Sequence, residues 1–451
     1  MKISHYTFFL DFDEGKYLYN TLSNSMIELD DVSYAKLRAA KESGSELSND
    51  DFDAELLSEL EKRDFITAND KDEFLKYKAV IHTQREENAS MHLTLAPTMD
   101  CCFHCHYCFE KYKSKKHIDE KTMDSILKYI GSIDSLRHIR LTWFGGEPLM
   151  AVDEIERFYD KFSSMWKDKS FISNIITTGY HIDDNAIRVM RKAKISSMQI
   201  TLDGMKDTHN KVKHLPGGED VFEKVLQNIE LLNDGMPEMH ITIRVNLTLD
   251  NCDEYVPLFR LLSERFKGRK NIYPAPAFVL DRGASGSNCG KQHLFNHRTR
   301  SEFVLKLWND YRIFSPFLMY PRPFFEECAI RNKMAIAFDA EGYAYKCWEV
   351  IGNKEYAIGR LDDDGKLTEI NRTVLYRQLY GEDPIDDAKC SRCDYLPVCN
   401  GGCPIQRIEN EFAGGHNDCC TYYKGYLPEF MKAHLERKRM VDEYKKSNKN
   451  N

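Results

Sequence analysis

Fourteen cysteines fall along this 451-residue chain, most of them in two constellations. The first is the triplet Cys101, Cys105 and Cys108, with His104 and His106 inside it and a spare Cys102 beside it. The second is denser: Cys328 and Cys347, then Cys390, Cys393, Cys399 and Cys403, then the adjacent pair Cys419 and Cys420. Three thiolates fill three irons of a [4Fe-4S] cubane and leave the fourth iron open, so the triplet reads as a reactive site. The later set could saturate further clusters. Zinc is the competing reading, because paired Cys-x2-Cys spacings serve a tetrahedral structural site equally well. The triplet, however, has no second Cys or His pair at zinc-finger spacing close behind it.

A further chemical signal is Gly145-Gly146-Glu147-Pro148. Glycines let a backbone approach a ligand closely, and a carboxylate beside exposed carbonyls suits an ammonium group. Alone, the stretch reads more readily as a tight turn.

The elements that must position these residues are strands. Between 92 and 280, strand-like segments at about 92–96, 138–144, 173–178, 197–202, 240–247 and 272–280 alternate with helix-like ones, the rhythm of a parallel βα array. The triplet follows the first strand and the Gly-Gly-Glu-Pro stretch ends the second, where βα barrels place active sites. Phe222, Val225, Leu226, Ile229 and Leu232 form an apolar helical stripe that reads as core. The strands alternate: Ile241, Ile243, Val245 and Leu247 oppose Thr242, Arg244 and Asn246, while Met198, Ile200 and Leu202 oppose Gln199, Thr201 and Asp203. A closed barrel packs its interior with branched apolar side chains, so a polar inner face predicts an open partial barrel around a polar ligand.

Residues 1–85 read as a separate unit. Segments 5–12 and 16–29 are aromatic and apolar, joined by the hairpin signal Asp13-Glu14-Gly15. Two helices follow, with Val32, Tyr34 and Leu37 on one and Leu56, Leu57 and Leu60 on the next. Such a sheet could accept an added peptide strand or serve as a stabilising cap. Beyond the array lie a loop at 281–293 containing Cys289, a helical stretch near 303–311, the cysteine-dense region, and a charged tail whose residues 445–451 are polar enough to be disordered.

A formal net charge of -8 argues against general nucleic-acid binding, and the basic run 111–117 reads as a solvated loop. With no secretory signal and no stretch of about twenty apolar residues, the expectation is a cytoplasmic protein with neither membrane nor nucleic-acid partners. In that setting cysteines serve metals rather than disulfides.

The triplet with Tyr107 before its last cysteine, followed one strand later by Gly-Gly-Glu-Pro, resembles the radical S-adenosylmethionine (radical SAM) enzymes. The resemblance implies that the methionine part of SAM chelates the open iron. One electron then cleaves a carbon–sulfur bond, and a 5′-deoxyadenosyl radical takes hydrogen from substrate. It also implies SAM contacts at Tyr107 and places the SAM ammonium at Gly145, Gly146 and Glu147. Ribose, amino-acid or carboxylate contacts fall to Thr177, Thr178, Thr201 and Arg244. Thr178 stands where the family more often has asparagine. Arg244 has its own physical case, since a guanidinium on an inward strand position can pair with a carboxylate; a structural ion pair is the alternative.

The C-terminal pattern Cys328-x13-Gly342-x4-Cys347, then Cys390-x2-Cys393-x5-Cys399-x3-Cys403, then Cys419 or Cys420, resembles the SPASM auxiliary-cluster domain of peptide-modifying radical SAM enzymes. This implies two auxiliary [4Fe-4S] clusters. Cys328, Cys347 and Cys403 would bind the first, while Cys390, Cys393, Cys399 and either Cys419 or Cys420 would bind the second. The first then lacks a fourth cysteine, which Cys289 or a substrate thiolate could supply.

The expected fold is therefore α/β: a partial (β/α)6 TIM-like barrel as radical SAM core (91–300), a small N-terminal α+β winged-helix-like domain resembling leader-peptide recognition elements (1–85), an iron–sulfur SPASM domain (320–425) and a charged C-terminal tail (426–451). The expected function is maturation of a ribosomally made precursor peptide by thioether or carbon–carbon crosslinking, with a flavodoxin- or ferredoxin-type reductant. Anaerobic sulfatase maturases, which oxidise cysteine or serine to formylglycine, are the main alternative. They place an aspartate base directly after the cysteine that here is Cys347. This chain has Trp348 there, then Glu349, which on an extended backbone points elsewhere. A non-catalytic electron carrier or metal-stabilised scaffold would need neither the Gly-Gly-Glu-Pro stretch nor an open-iron triplet.

Overall fold

The computed structural model describes residues 1–48, 51–108, 110, 114–167, 169–280, 290–325 and 328–449. The chain divides into two compact units, one made of Glu86–Phe295 with Cys328–Gly381, the other of Met1–Arg85, Asn296–Glu327 and Glu382–Asn451.

In the larger unit the strands Ser90–Leu95, His138–Trp143, Ser170–Thr177, Ile195–Leu202, His240–Leu247 and Ile272–Phe278 pair in parallel, each with the next in sequence. On its other side the first strand takes Ala335–Phe338 in parallel, and the sheet continues antiparallel through Tyr343–Tyr345, Gly359–Leu361 and Leu367–Thr368. Among the described residues the two ends of this row do not pair with each other, so the sheet is an open partial barrel. The alternation read in the strands has the expected consequence. Ile241, Ile243, Val245 and Leu247 are buried, and so are Phe222, Val225, Leu226, Ile229 and Leu232 of helix Val221–Gly235. Aspartates open the helices that follow the strands: Asp119, Asp183 and Asp220 each accept a backbone N–H of the first helical turn.

In the second unit, Thr7–Phe12, Gly15–Asn20 and Met26–Leu29 form an antiparallel sheet. The expected continuous segment 16–29 is thus two strands. It breaks because the Asn20 side chain accepts from the backbone of Leu22 and Ser23 at 2.8 and 2.9 Å, turning the chain locally. Helix Asp31–Ser43 buries Tyr34 and Leu37 but leaves Val32 exposed, contrary to the expected stripe. Helix Ala54–Lys62 buries Leu57 and Leu60. A third helix, Asp70–Glu86, has sparse apolar residues and no clear sequence signal; it packs Tyr77 and Ile81 with Tyr6, Leu22, Ile385 and Leu396.

Residues 1–85 therefore share a core with the end of the chain. Leu10, Tyr17 and Tyr19 pack against Leu427, Met431 and Leu435, and Arg85 forms a buried ion pair with Asp383, Nη2 to Oδ1 at 3.0 Å. Of the segment 445–451, expected to be disordered, residues 445–449 continue helix Leu427–Lys449, and residues 450–451 lie outside the described residues. Lysine is a good helix former, so Lys445 and Lys446 extend a helix already anchored by buried Leu427, Phe430 and Met431. Among the described residues no helix is long and apolar enough to cross a membrane.

Candidate active site

The loop leaving the first core strand carries Cys101, Cys105 and Cys108 onto the wall of a cavity of about 290 Å³. Cys102 lies beside Cys101, to which it is hydrogen-bonded, and that bond together with burial pushes its thiol pKa far up. Among the residues expected at SAM, Tyr107, Gly145, Gly146, Thr177, Thr178, Thr201 and Arg244 line the same cavity.

Glu147 is completely buried and works from beneath. Its carboxylate accepts from Leu149 N at 3.0 Å, Thr177 Oγ1 at 2.6 Å, Thr178 N at 2.7 Å and Thr178 Oγ1 at 2.5 Å. It thus buckles the end of strand His138–Trp143 to the end of strand Ser170–Thr177. The same turn is stitched to the cysteine loop, for Gly146 N donates to Thr98 O at 3.2 Å and Glu147 N to Asp100 O at 2.8 Å.

The two glycines are required by that approach. Gly145 has φ +108°, and a Cβ on it would sit 2.3 Å from Thr98 O. A Cβ on Gly146 would sit 2.1 Å from Asp100 O. Any side chain would displace the backbone that leads into Cys101.

The polar strand faces supply the cavity floor. Gln199 and Thr201 stand beside Arg244 and Asn246, with Arg244 and Thr201 in register. Arg244 Nε donates to Asn246 Oδ1 at 2.9 Å, which aims the guanidinium along the floor. Three half-open thiols, a glycine cradle and a floor of hydroxyls, amides and a guanidinium form a donor set that fits a site-open cluster with a zwitterionic, polar ligand.

Glu349, expected to point elsewhere, lines the cavity beside Trp348. Cys347 is extended, but Trp348–Val350 form a 3-10 turn, so Trp348 and Glu349 both face the cavity instead of alternating. Trp348 remains 41% exposed and stacks on Phe144, centroids 5.9 Å apart. The expectation that Glu349 points elsewhere is corrected by this turn.

Two further residues, His209 and Lys213, were not expected at the site, and both meet Asp203. The Tyr107 hydroxyl donates to Asp203, Lys213 pairs with the same carboxylate, and Lys213 Nζ lies 3.2 Å from the Tyr107 oxygen. His209 accepts the Asp203 backbone N–H at Nδ1, 3.2 Å away. Burial pushes the Tyr107 pKa well above its ordinary value, reinforced by the Asp203 charge. Alternation had assigned Asp203 to the inner face, but Lys213 follows the short helix Lys206–Val212 and carries no periodic signal.

In the second unit, Cys390, Cys393, Cys399, Cys419 and Cys420 line a cavity of about 320 Å³. Burial pushes Cys390 and Cys393 up, Cys399 to about 11 and Cys419 to about 12. Arg407 Nη1 donates to Cys390 Sγ at 3.5 Å, which favours its thiolate. Metal binding would release the remaining thiol protons. Cys328 and Cys347 belong to the larger unit and Cys403 to the second; Cys289 lies outside the described residues. Among the described residues no three His, Cys, Asp or Glu side chains gather tightly enough for one metal ion; the thiols ring cavities instead.

Residues 95–262 match the Radical SAM superfamily. The chain is similar to the cysteine-type anaerobic sulfatase-maturating enzyme of Clostridium novyi (strain NT), 22% identical over 368 residues that span 75% of this chain and 94% of the relative. Among solved structures it is similar in fold to native anSMEcpe with bound AdoMet and Cp18Cys peptide, with a TM-score of 0.57 at 17% identity, covering 78% of this chain and 98% of that one. It is also similar to Streptococcus suis SuiB bound to precursor peptide SuiA, with a TM-score of 0.51 at 14% identity, covering 93% and 99%.

Proposed function

Because this chain is a radical SAM enzyme with a C-terminal auxiliary domain, we propose that it is a peptide maturase that crosslinks a side chain of a ribosomally made precursor through a thioether or carbon–carbon bond. The observation that carries this reading is the convergence on one cavity of three thiols, a glycine cradle and the polar faces of two strands.

When bound, the cluster and SAM supply an electron and a carbon-centred radical that abstracts hydrogen. In this reading Cys101, Cys105 and Cys108 hold the cluster, and the Gly145 and Gly146 carbonyls receive the SAM ammonium. Glu147 keeps those carbonyls in place through Thr177, Thr178 and Leu149. Arg244 pairs with the carboxylate, and Thr201 and Gln199 meet the ribose hydroxyls. Phe144 and Trp348 stack to form an apolar part of the cavity wall. Cys390, Cys393 and Cys399 with Cys419 or Cys420 hold an auxiliary cluster, beside which Arg407 balances thiolate charge. The assignment of Cys328, Cys347 and Cys403 to another rests on the seven-cysteine spacing.

The edge strand Met26–Leu29 supports docking of a leader segment by strand addition, and the precursor peptide bound to SuiB is in keeping with it. Formylglycine formation is the second reading, favoured by the relative's name and by Glu349 on the cavity wall, where it could take a proton.

The test is anaerobic reconstitution with reductant and SAM, followed by mass spectrometry of peptides. A precursor encoded beside the gene that loses two hydrogens supports crosslinking. A sulfatase-type cysteine or serine peptide that acquires an aldehyde supports the second reading. Absence of 5′-deoxyadenosine under reducing conditions refutes both.

A further inference from the structure

Asp203, His209 and Lys213 are almost fully buried, yet none has a part in the roles above. Burying an ion pair is costly unless its geometry is fixed and its remaining valences are satisfied. Here shared partners fix the geometry. Lys213 meets Asp203 and the Tyr107 oxygen together, and its ammonium lies 5.8 Å from the Tyr107 ring centre. Asn251 Nδ2 binds the Asp203 carbonyl at 2.7 Å. The Lys213 backbone N–H closes the preceding helix on His209 O at 2.8 Å.

His209 accepts at Nδ1, and burial pushes its pKa down to about 3, so it adds no charge near neutrality. The local charges are then one carboxylate and one ammonium. The ammonium is the half that faces the reactive site. It lines the cavity with Cys101 and Cys105. Burial drives the Lys213 pKa down, but Asp203 and then the Cys105 thiolate push it the other way, and the net direction is up.

We infer that Lys213, held in place by Asp203 and Tyr107, is a positioning residue that sets the charge beneath the three-cysteine loop, stabilising the added electron of a cluster bound there and so raising its reduction potential. The physical reason is that a fixed cation in a low-dielectric wall favours the more negative of two redox states. Tyr107 lies within the triplet's own spacing, so the same tether also fixes the loop. This inference rests on Cys101, Cys105 and Cys108 being cluster ligands.

The test is a potentiometric titration of the reconstituted full chain, following the electron paramagnetic resonance signal that responds to SAM. Lys213→Gln is expected to lower the midpoint so that the reduction equilibrium falls about tenfold, about 59 mV for one electron. Lys213→Arg should restore it. Lys213→Met, which also removes the charge, should lower the midpoint to the same extent. A wild-type midpoint in either neutral variant overturns the inference, as does failure of Lys213→Arg to restore it, since a merely loosened loop is not mended by a cation. If neither neutral variant retains iron, the Lys213→Arg titration decides: a wild-type midpoint supports the inference, and a lowered one overturns it. Absence of any SAM-responsive signal in the wild-type chain refutes instead the ligand assignment on which the inference stands.

Discussion

Replacing Glu147 by Gln isolates the buckle between the second and third core strands. The carboxylate receives four hydrogen bonds in a fully buried setting, two from Thr178 alone. Gln can keep the oxygen that faces Leu149 N and Thr177 Oγ1, but its amide nitrogen then confronts the Thr178 N–H, donor against donor. The Thr178 hydroxyl can rotate to accept; the backbone N–H cannot. One charge-assisted bond is lost and one buried donor is stranded, together about 3 kcal/mol. At about 1.4 kcal/mol per factor of ten, the turn should open roughly 100 times more often. Hydrogen exchange by mass spectrometry on peptides spanning Leu149 and Thr178 reads that opening directly, with helix Val221–Gly235 as the unaffected control. SAM affinity should fall in parallel. Thr178 exchange within about threefold of wild type would mean that the four bonds do not hold the turn, and the reasoning fails.

Gly146→Ala places a Cβ 2.1 Å from Asp100 O and 2.5 Å from Met99 O, both backbone. SAM affinity should drop at least about tenfold and iron should be lost from the triplet, read by binding titration and by the SAM-responsive signal. Arg85→Met strands Asp383 in the interior and should cost about 3 kcal/mol in urea unfolding; it is a cleaner probe than deleting residues 1–85, which would also bare Leu427 and Met431. His209 has a folded pKa of about 3, below its unfolded value, so the unfolded chain binds its proton first as pH falls. Its contribution is complete above pH ~6.5 and shrinks toward pH ~3, by about 2 kcal/mol between pH 7 and 5. Urea midpoints should show that loss in wild type and not in His209→Gln.

Much of the site could be read along the chain because the relevant signals are short in range. The spacing of Cys101, Cys105 and Cys108, the glycines at 145 and 146, and the alternation of Ile241, Ile243, Val245 and Leu247 with Arg244 and Asn246 all lie within a turn or a strand. A strand's period of two leaves little choice about which side chains share a face, so a polar inner surface on an open sheet followed from it. The direction of Glu349 is not legible for the converse reason: it depends on whether the chain after Cys347 stays extended or turns, and the turn comes with Trp348 stacked on Phe144, a residue from another strand's end.

The amino-acid sequence by itself determined the donors and the rhythm of elements that carry them to one edge of the sheet. Only the tertiary structure decided what holds those donors. Glu147 serves as a buckle because the third strand's end brings Thr177 and Thr178 against it, and Lys213 reaches Tyr107 across 106 positions. Arg85 finds Asp383 across 298 positions, which makes the first 85 residues part of one core with the chain's end. Partners so distant have no local periodicity to reveal them; they are selected only when burial of apolar faces brings the segments together and leaves each buried charge in need of its complement.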